Sequence, residues 1–431
     1  MPSLKQSLLN AERLDLAAAL ACCADELPFL ARLADLPYGE RSILAHTQSV
    51  MDALLDQPPP VPPAAAESAV TPWWSAMPAA YLAALFQHAG LPEVCAGQAA
   101  PVRLLTPHAR ESVRLAREVL RAWGVPFTVR EHAAALILNQ RRLAGLVGSG
   151  AADETYMRLS CSLDLRSLYC LLRAEVRAAG AASPSDDLAT ALRPGARQAL
   201  RLEAFRERAE QAGVFGGPYG APLSAERVAD LGFAEPRERH RALNALRYFA
   251  LVARMNEEQW FVERLRQERE RPRGRLHLLV GPAGCGKSTW ARQHLSSTTF
   301  VSSDGMREEL TGDPADQSQN YLVFQRCMDR IRERLHEGRE VTFDATNYSE
   351  ALRSMPVQAA RWAGAEIVSY FFDVGLSTVL ARSAARARVV PEDVIRKQHR
   401  LVEPPALYEA DRHMVVDEQG DRALYWPAEV R

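Results

Sequence analysis

One short segment about two thirds of the way along the chain limits its fold more than any other feature. Residues 281–289, GPAGCGKST, satisfy the pattern G-x-x-x-x-G-K-[ST]; an apolar run, LHLLV, precedes them and a helical stretch, 290–295, follows. A strand, a glycine-rich turn and a helix in this order form the context in which such a turn binds phosphate. The sequence therefore predicts an α/β domain with a P-loop.

The P-loop assigns chemical roles to its own residues. Backbone N–H groups of the glycine-rich turn close around phosphate oxygens, and the N-terminus of the following helix adds positive potential. Lys287 is placed to reach the β- and γ-phosphates of ATP, and Ser288 to bind Mg²⁺. The predicted ATP-binding residues are Gly281, Gly284, Cys285, Gly286, Lys287, Ser288, Thr289 and, from a later helix, Arg382.

Short apolar runs continue beyond the P-loop and alternate with helical stretches. They are LHLLV at 276–280, TFV at 299–301, VTFD at 341–344, IVSYFF at 367–372 and MVV at 414–416. This alternation predicts a parallel sheet covered by helices, with ligands bound outside the carboxyl ends of the strands. We assign this α/β domain to residues 274–431.

The acceptor of the phosphate is predicted from the end of the second strand. Asp304 follows that strand, where a carboxylate can accept the proton of an acceptor hydroxyl, and Arg307 lies one helical turn later, where it can hold an acceptor phosphate. The competing interpretation is that Asp304 only caps the next helix, since Asp is common at that position.

Two further groups are predicted to line the same edge. Asp344 ends the strand at 341–344, where it can orient the acceptor or the water shell of the metal, and Asn347 is predicted to bind the acceptor or to cap a helix. Arg382 and Arg386 share one face of an Arg-rich helix and can clamp phosphates, with Arg386 as the catalytic candidate. A solvated basic face is the equally weighted alternative.

The N-terminal half has a different pattern. Apolar residues recur at three- and four-residue spacing over 8–36 and 81–177, which predicts an all-α domain. A Pro-rich segment, 58–72, is predicted to form a surface loop. A break at 180–187 separates this domain, residues 1–180, from a helical connector, residues 181–273.

Composition restricts partners and location. The net charge of −1 argues against a broadly basic nucleic-acid surface and favours a local groove, which suits a strand end. The seven cysteines include no C-x-x-C pair, so a reducing cytoplasm is predicted. No apolar run is long enough to span a bilayer, so no membrane partner is expected.

The motifs GPAGCGKST, SSDGMR, TFDATN and VPEDVIRKQHRLVEPP, in this order, resemble the kinase module of the polynucleotide kinase-phosphatase family over residues 274–417. The resemblance implies that Lys287 and Ser288 bind ATP and metal, that Asp304 is the general base for a 5′-hydroxyl, and that Arg307 binds the acceptor phosphate. It also implies that Asp344 supports the acceptor site and that a lid arginine, Arg386 or Arg382, engages the transferred phosphate.

The segment 239–269 resembles the connector of bacterial proteins that fuse an HD phosphohydrolase domain to this kinase. The resemblance implies an all-α domain that binds Mn²⁺ or another transition metal and removes 2′,3′-phosphates. The implied ligands are His46, His88 and Glu175, with His108 as an auxiliary histidine. The family's His-Asp pair is replaced by His88-Ala89 and its last Asp by Glu175, while Asp164 lies nearby as a substitute ligand. With this incomplete ligand set, the N-terminal domain is expected either to have a weakened metal site or to serve only as a scaffold.

The predicted function is nucleic-acid end healing. An ATP- and Mg²⁺-dependent kinase phosphorylates the 5′-hydroxyl of a DNA or RNA strand end, and a nucleic-acid ligase acts downstream. Two alternatives stay open on sequence alone. One is a P-loop kinase for a small-molecule alcohol or a protein, and the other is an ATP-driven regulatory or binding module with a vestigial HD domain.

Overall fold

The computed structural model describes residues 4–22, 27–38, 41–57, 76–95, 105–140, 152–179, 194–270, 274–314, 316–386 and 389–426. The chain forms two compact units, Met1–Tyr219 and Gly220–Arg431. The predicted Pro-rich loop at 58–72 lies outside the described residues. Among the helices that are described, none has the length and hydrophobicity needed to cross a bilayer.

The first unit is helical, as predicted. Its helices are α1 Leu4–Leu9, α2 Leu16–Cys22, α3 Phe29–Ala34, α4 Ile43–Leu55, α5 Ala76–Phe86, α6 Leu91–Cys95, α7 Leu105–Ala122, α8 Phe127–Asn139, α9 Asp153–Ser160, α10 Leu165–Ala178 and α11 Pro194–Gln211. Two short antiparallel strands, β1 Pro37–Tyr38 and β2 Arg41–Ser42, precede α4.

Helix α5 lies at the centre of this unit. Its residues Leu82, Leu85 and Phe86 are fully buried, and it packs against α4, α8 and α10. A helix that is apolar on all sides buries its whole surface, so α5 carries the core on which the other helices assemble. The two polar residues that follow it, Gln87 and His88, are consequently buried as well.

The predicted connector, 181–273, is divided between the two units. Helix α11 packs on α10, with Leu202 and Phe205 in the core of the first unit. Helices α12 Ala225–Asp230, α13 Pro236–Leu251 and α14 Glu258–Glu270 belong to the second unit. Each helix belongs to the unit whose core covers its apolar face.

The second unit contains a sheet of six strands: β3 Arg275–Val280, β4 Thr299–Ser302, β5 Glu340–Asp344, β6 Glu366–Phe372, β7 Arg412–Val416 and β8 Arg422–Trp426. Their spatial order is β4-β5-β3-β6-β7-β8. All neighbours run parallel except β8, which is antiparallel to β7. The parallel strands were predicted from the sequence, whereas β8 was not.

Helices α15 Lys287–His294, α16 Ser303–Thr311, α17 Asn320–His336, α18 Glu350–Ala363, α19 Leu376–Ala384 and α20 Glu392–Leu401 connect the strands. The chain leaves β3 toward β4 at one edge of the sheet and leaves β6 toward β7 at the other. A crevice opens at the carboxyl ends of strands where such connections diverge. The P-loop, which follows β3, lies at this position.

Two buried ion pairs join α18 to the segment before β7. Arg353 donates to both carboxylate oxygens of Glu409, and Arg361 donates to Asp411 at 2.6 Å. Arg353 also donates to the backbone carbonyls of Asn347 and Glu403. These bonds fix the loop that leaves β5, and therefore the edge of the sheet where ligands are expected.

Candidate functional site

The P-loop has the backbone conformation that its glycines allow. Gly284 and Gly286 have φ angles of +86° and +103°, a left-handed region that favours glycine. A Cβ atom on Gly284 would lie 3.1 Å from the carbonyl oxygen of Val379 in α19. The turn therefore packs closely on α19.

Lys287 is the first residue of α15, and its buried ammonium group lies inside the loop. It donates to the carbonyl oxygens of Gly281 and Pro282 at 2.9 and 2.8 Å. These bonds satisfy the charge within the protein when no phosphate is bound. Ser288 and Thr289 follow in the first turn of the helix, as the motif requires for Mg²⁺ binding.

Two side chains from the predicted lid contact the P-loop backbone. Arg382 in α19 donates to the carbonyl oxygens of Cys285 at 2.8 Å and Glu418 at 2.6 Å. Gln398 in α20 accepts a hydrogen bond from the Ala283 N–H at 2.8 Å. Arg386, by contrast, is exposed and lies two residues beyond the end of α19 at Ala384, so the prediction that it shares a helical face with Arg382 is wrong. The two lid arginines thus have different surroundings, a distinction that their spacing did not predict.

The loop after β5 is tied to the P-loop strand. The Gly281 N–H donates to the carbonyl oxygen of Thr346, and the buried amide of Asn347 donates to the carbonyl oxygen of Leu279 at 2.9 Å. Asn347 also has a φ angle of +46°. Its role in this structure is to hold the loop, and an acceptor-binding role for it stays a prediction.

Asp344 and the end of β4 lie side by side. Ser302 and Asp344 are register partners in the parallel pair β4 and β5, so the ends of these strands meet at one edge. The Ser302 hydroxyl accepts a hydrogen bond from the Gly305 N–H and caps α16. Ser302, not Asp304, is therefore the N-cap, and the capping interpretation of Asp304 is wrong.

Asp304 projects from the first turn of α16 with a side chain that is 61 % exposed. Its carboxylate accepts a hydrogen bond from Arg307 Nη1 at 2.5 Å, and Arg307 Nε donates to Asn320 at 3.1 Å. The guanidinium of Arg307 is mostly buried and is held from two sides. The structure therefore presents an exposed carboxylate beside a fixed arginine.

Tyr321 is a candidate that sequence reasoning missed. It follows Asn320 at the start of α17 and is 76 % exposed, the largest value among the exposed large apolar side chains of the described residues. An aromatic ring in solvent, next in sequence to the residue that holds Arg307, is a suitable surface for a base or another planar group. Nothing in the sequence pattern indicates this, because Tyr321 resembles any other apolar residue of an amphipathic helix.

A second cluster lies in the first unit. His46 from α4, His88 after α5 and Glu175 from α10 place one ligand atom each within 4.8 Å of one another. His46 Nε2 is 3.0 Å from Glu175 Oε2, and His88 Nε2 is 3.9 Å from Glu175 Oε1. The structure thus brings together three of the four residues proposed as metal ligands.

The protonation of Glu175 reflects these neighbours. Burial alone would raise the pKa of Glu175, but the hydrogen bond from His46 and the nearby imidazoles outweigh it and hold that pKa below its ordinary value. The carboxylate is therefore ionised at neutral pH. An anionic oxygen between two imidazoles is a donor set suited to a transition metal.

The surrounding residues correct two sequence expectations. At the position of the family's Asp, Ala89 is buried among apolar residues and contributes no polar atom. The residue on the other side of His88, Gln87, contacts the cluster instead, because its Nε2 donates to Glu175. Asp164 is the N-cap of α10 and accepts from the N–H groups of Arg166 and Ser167. It therefore stabilises a helix end and is not a substitute ligand.

His108, the predicted auxiliary histidine, lies beyond His88. Its ring centroid is 6.2 Å from that of His88, and it is fully buried. It is next to the cluster but is not among the residues whose ligand atoms converge. A metal-binding role for His108 stays a prediction.

Comparison with known proteins gives one family match. The model of a family described as AAA domain matches residues 276–405, less than a third of the chain. No curated protein matches. Among solved structures, a gluconokinase from Sinorhizobium meliloti 1021 is similar at 20% identity over 34% of this chain and 83% of that one, with a TM-score of 0.25. A score this low carries no argument about activity.

The family match and the geometry agree on the second unit. It contains a P-loop kinase-like domain with a mostly parallel sheet, and proteins with this domain generally use ATP and Mg²⁺. The acceptor is not identified by either comparison.

Proposed function

We propose that this protein is a kinase that transfers the γ-phosphate of ATP to the 5′-hydroxyl end of a polynucleotide. The observation that carries the proposal is the pair formed by Asp304 and Arg307 at the carboxyl edge of the sheet. An exposed carboxylate can receive a hydroxyl proton, and a fixed guanidinium beside it can hold a phosphate of the same acceptor. The terminal hydroxyl of a strand end would contact Asp304, and its first phosphodiester would contact Arg307.

The preorganisation of Arg307 supports an anionic acceptor. Its Nε and Nη1 atoms are committed to Asn320 and Asp304, so the side chain loses little conformational freedom when a ligand binds. A neutral small alcohol would gain nothing from this positive charge. Tyr321, next to Asn320, adds a ring on which a base can stack.

The reaction follows from these positions. The 5′-oxygen attacks the γ-phosphorus, the bond from that phosphorus to the β–γ bridging oxygen breaks, ADP leaves, and Asp304 takes the hydroxyl proton. Lys287 stabilises the phosphate charge once it exchanges its carbonyl partners for phosphate oxygens. Ser288 would hold Mg²⁺, which would neutralise phosphate charge during the transfer. Arg386, exposed just beyond α19, is the proposed lid arginine for the transferred phosphate.

Acceptor profiling with γ-labelled ATP tests the acceptor. The protein is incubated with 5′-hydroxyl DNA and RNA oligonucleotides, with their 5′-phosphorylated forms, and with a panel of small polyols and sugar acids. We expect label only on the 5′-hydroxyl oligonucleotides. Label on a polyol or sugar acid instead establishes a small-molecule kinase, and ATP hydrolysis without any labelled acceptor establishes an ATP-driven module.

The Arg307→Gln variant refines this result. Loss of the phosphate contact is expected to raise the KM for an oligonucleotide by about ten- to a hundredfold, since a charge-assisted hydrogen bond contributes about 1.5–3 kcal/mol. The KM for ATP should not change. Glu309→Gln, on the same helix and paired with Arg330 at the surface, is the matched control.

A second activity is proposed for the first unit, where the His46, His88 and Glu175 cluster favours it. These residues supply two imidazoles and a carboxylate, a set that leaves a coordination position for water as in catalytic zinc sites. The buried Oε1 atom of Gln87 has no hydrogen-bond partner among the described residues, so a further polar group is accommodated beside the cluster. We propose a single bound transition metal, Mn²⁺ or a similar ion, in a 2′,3′-phosphatase.

Metal content and phosphatase activity are measured together. The protein loaded with Mn²⁺ and passed through a desalting column should retain one metal per chain, and Glu175→Gln should lose it. Glu203→Gln, which removes a surface carboxylate bonded to Tyr169 in the same unit, should keep it. Metal retention without phosphate release from 2′,3′-phosphorylated ends would support a structural site and reject the phosphatase.

A further inference from the structure

One side chain of helix α20 contacts the P-loop. The Ala283 N–H donates to Oε1 of Gln398 at 2.8 Å, across 115 positions of sequence. Both residues are half-buried, so the bond lies at the surface of the nucleotide site and not in the core. It joins the predicted lid to the turn that binds phosphate, and the reaction described above does not use it.

The acceptor of the Ala283 N–H differs in kind from those of its neighbours in the turn. The Gly281 N–H donates to the carbonyl oxygen of Thr346 and the Cys285 N–H to that of Pro282, at 3.0 and 3.4 Å. These backbone bonds belong to the folded loop itself and cannot be exchanged without reshaping it. The bond from Ala283 ends on a side chain, which can leave by rotating. Among these three N–H groups, that of Ala283 is therefore the one with an exchangeable partner.

An amide oxygen and a phosphate oxygen are alternative acceptors for one N–H group. The N–H groups of a P-loop bind the phosphates of the nucleotide, and an anionic oxygen accepts a stronger hydrogen bond than a neutral amide oxygen does. A nucleotide phosphate is therefore expected to displace the Oε1 atom of Gln398 from Ala283. When the phosphate leaves, the amide oxygen takes its place.

Helix α20 keeps this competitor beside the loop. Ile395 is 1% exposed and belongs to the same buried apolar cluster as Cys285 of the P-loop. His399, next to Gln398, is buried, with its Nε2 atom 3.1 Å from the carbonyl oxygen of Val374. Because the helix is anchored before and after Gln398, a displaced amide stays within reach of the loop and competes at high effective concentration.

We propose that Gln398 promotes the release of ADP by competing with the nucleotide phosphate for the Ala283 N–H. Gln398 is a positioning residue, since it acts through the P-loop. Release of product sets the turnover rate of many enzymes, so a residue that speeds it contributes to the reaction without taking part in the chemistry. The inference rests on nucleotide binding at the P-loop in the proposed function and is independent of the acceptor.

Stopped-flow dissociation of a fluorescent ADP analogue from the full chain tests the proposal. The complex with Mg²⁺ is mixed with excess unlabelled ADP, and the dissociation rate is compared among the parent, Gln398→Ala and Gln398→Met. Methionine has nearly the length of glutamine and no amide oxygen, so it preserves packing without the competing acceptor. We expect both variants to release ADP about three- to tenfold more slowly than the parent, as the loss of one net hydrogen bond implies.

Two comparisons separate competition from support of the loop. Adenosine has no phosphate, so its affinity, measured by competition, should be equal in the parent and in Gln398→Met. Glu392→Gln, at an exposed residue of α20 paired with Arg396, should release ADP at the parental rate.

Unchanged or faster release of ADP from both Gln398 variants, or an equal gain in affinity for adenosine, would overturn the proposal and leave the kinase intact. Failure of the parent to bind the ADP analogue would reject the nucleotide site of the proposed function and this inference with it. Failure to label an oligonucleotide would reject the proposed acceptor alone.

Discussion

Replacing Arg353 with methionine tests how the acceptor edge of the sheet is held. The change removes a guanidinium that is 1% exposed and leaves Glu409, 3% exposed, as an unpaired buried carboxylate. It also removes the bonds to the carbonyl oxygens of Asn347 and Glu403. Breaking a buried ion pair on one side costs about 3–5 kcal/mol. The second unit is therefore expected to lose a large part of an ordinary domain's stability, which is about 5–15 kcal/mol.

Hydrogen exchange measured by mass spectrometry reports the lowered free energy of unfolding of the second unit separately from the first. Amides of β3 and β6 should exchange about a hundredfold to a few thousandfold faster in Arg353→Met, since about 1.4 kcal/mol corresponds to a factor of ten. Adding Glu409→Leu should restore most of the protection, because an apolar pair can replace a buried ion pair. Arg396→Met, which breaks an exposed pair with Glu392, should change protection less than about fivefold. Equal effects of Arg353→Met and Arg396→Met would refute the reasoning.

Three further predictions address the lid, the acceptor and acid stability. Arg382→Ala should weaken binding of a fluorescent ATP analogue about tenfold, because the hydrogen bonds of Arg382 support the P-loop. Arg386→Ala should lower the transfer rate and leave the ATP affinity unchanged. The reverse pattern would exchange the roles of the two arginines. Tyr321→Ala should raise the KM for a single-stranded oligonucleotide about tenfold, and Tyr321→Phe should keep it low; equal values for the two variants would exclude stacking. Burial lowers the pKa of His413 from the ordinary 6.5 to about 3, so the unfolded chain binds a proton at this residue more readily than the folded chain does. The free energy of unfolding is therefore highest above pH 6.5 and falls as the pH drops from 6.5 toward 3. At pH 5 the loss due to His413 is about 2 kcal/mol, measured by urea unfolding, and the His413→Gln variant should not show this loss.

The sheet of the second unit was predictable because each of its parallel strands carries a local signal. β3, β5 and β6 are buried on both faces and are rich in apolar and β-branched residues, and the P-loop marks where the first of them ends. The charged residues of α18 could not be placed in the same way. Arg353 and Arg361 look like residues of a solvated helix face, and only the chain around Glu409 and Asp411, distant in sequence, buries them.

The acceptor edge shows where local reasoning was sufficient and where it failed. Asp304 and Arg307 lie three residues apart on one helical turn, so their contact follows from helix geometry. Asn320 reaches Arg307 through the packing of α17 on α16, which no spacing rule specifies. The cluster of the first unit has the same character, since Gln87 meets Glu175 only through the packing of α5 on α10.

The most direct test of the proposed kinase is a single-turnover measurement with the Asp304→Ala variant. Protein in excess over a 5′-hydroxyl oligonucleotide is mixed with γ-labelled ATP and Mg²⁺, and label on the strand is followed with time beside the parent and Glu309→Gln. The parent and Glu309→Gln should label the strand at the same rate, and Asp304→Ala should be slower by about a hundredfold or more while binding ATP normally. Labelling by Asp304→Ala at the parental rate, or no labelling by the parent, would contradict the account.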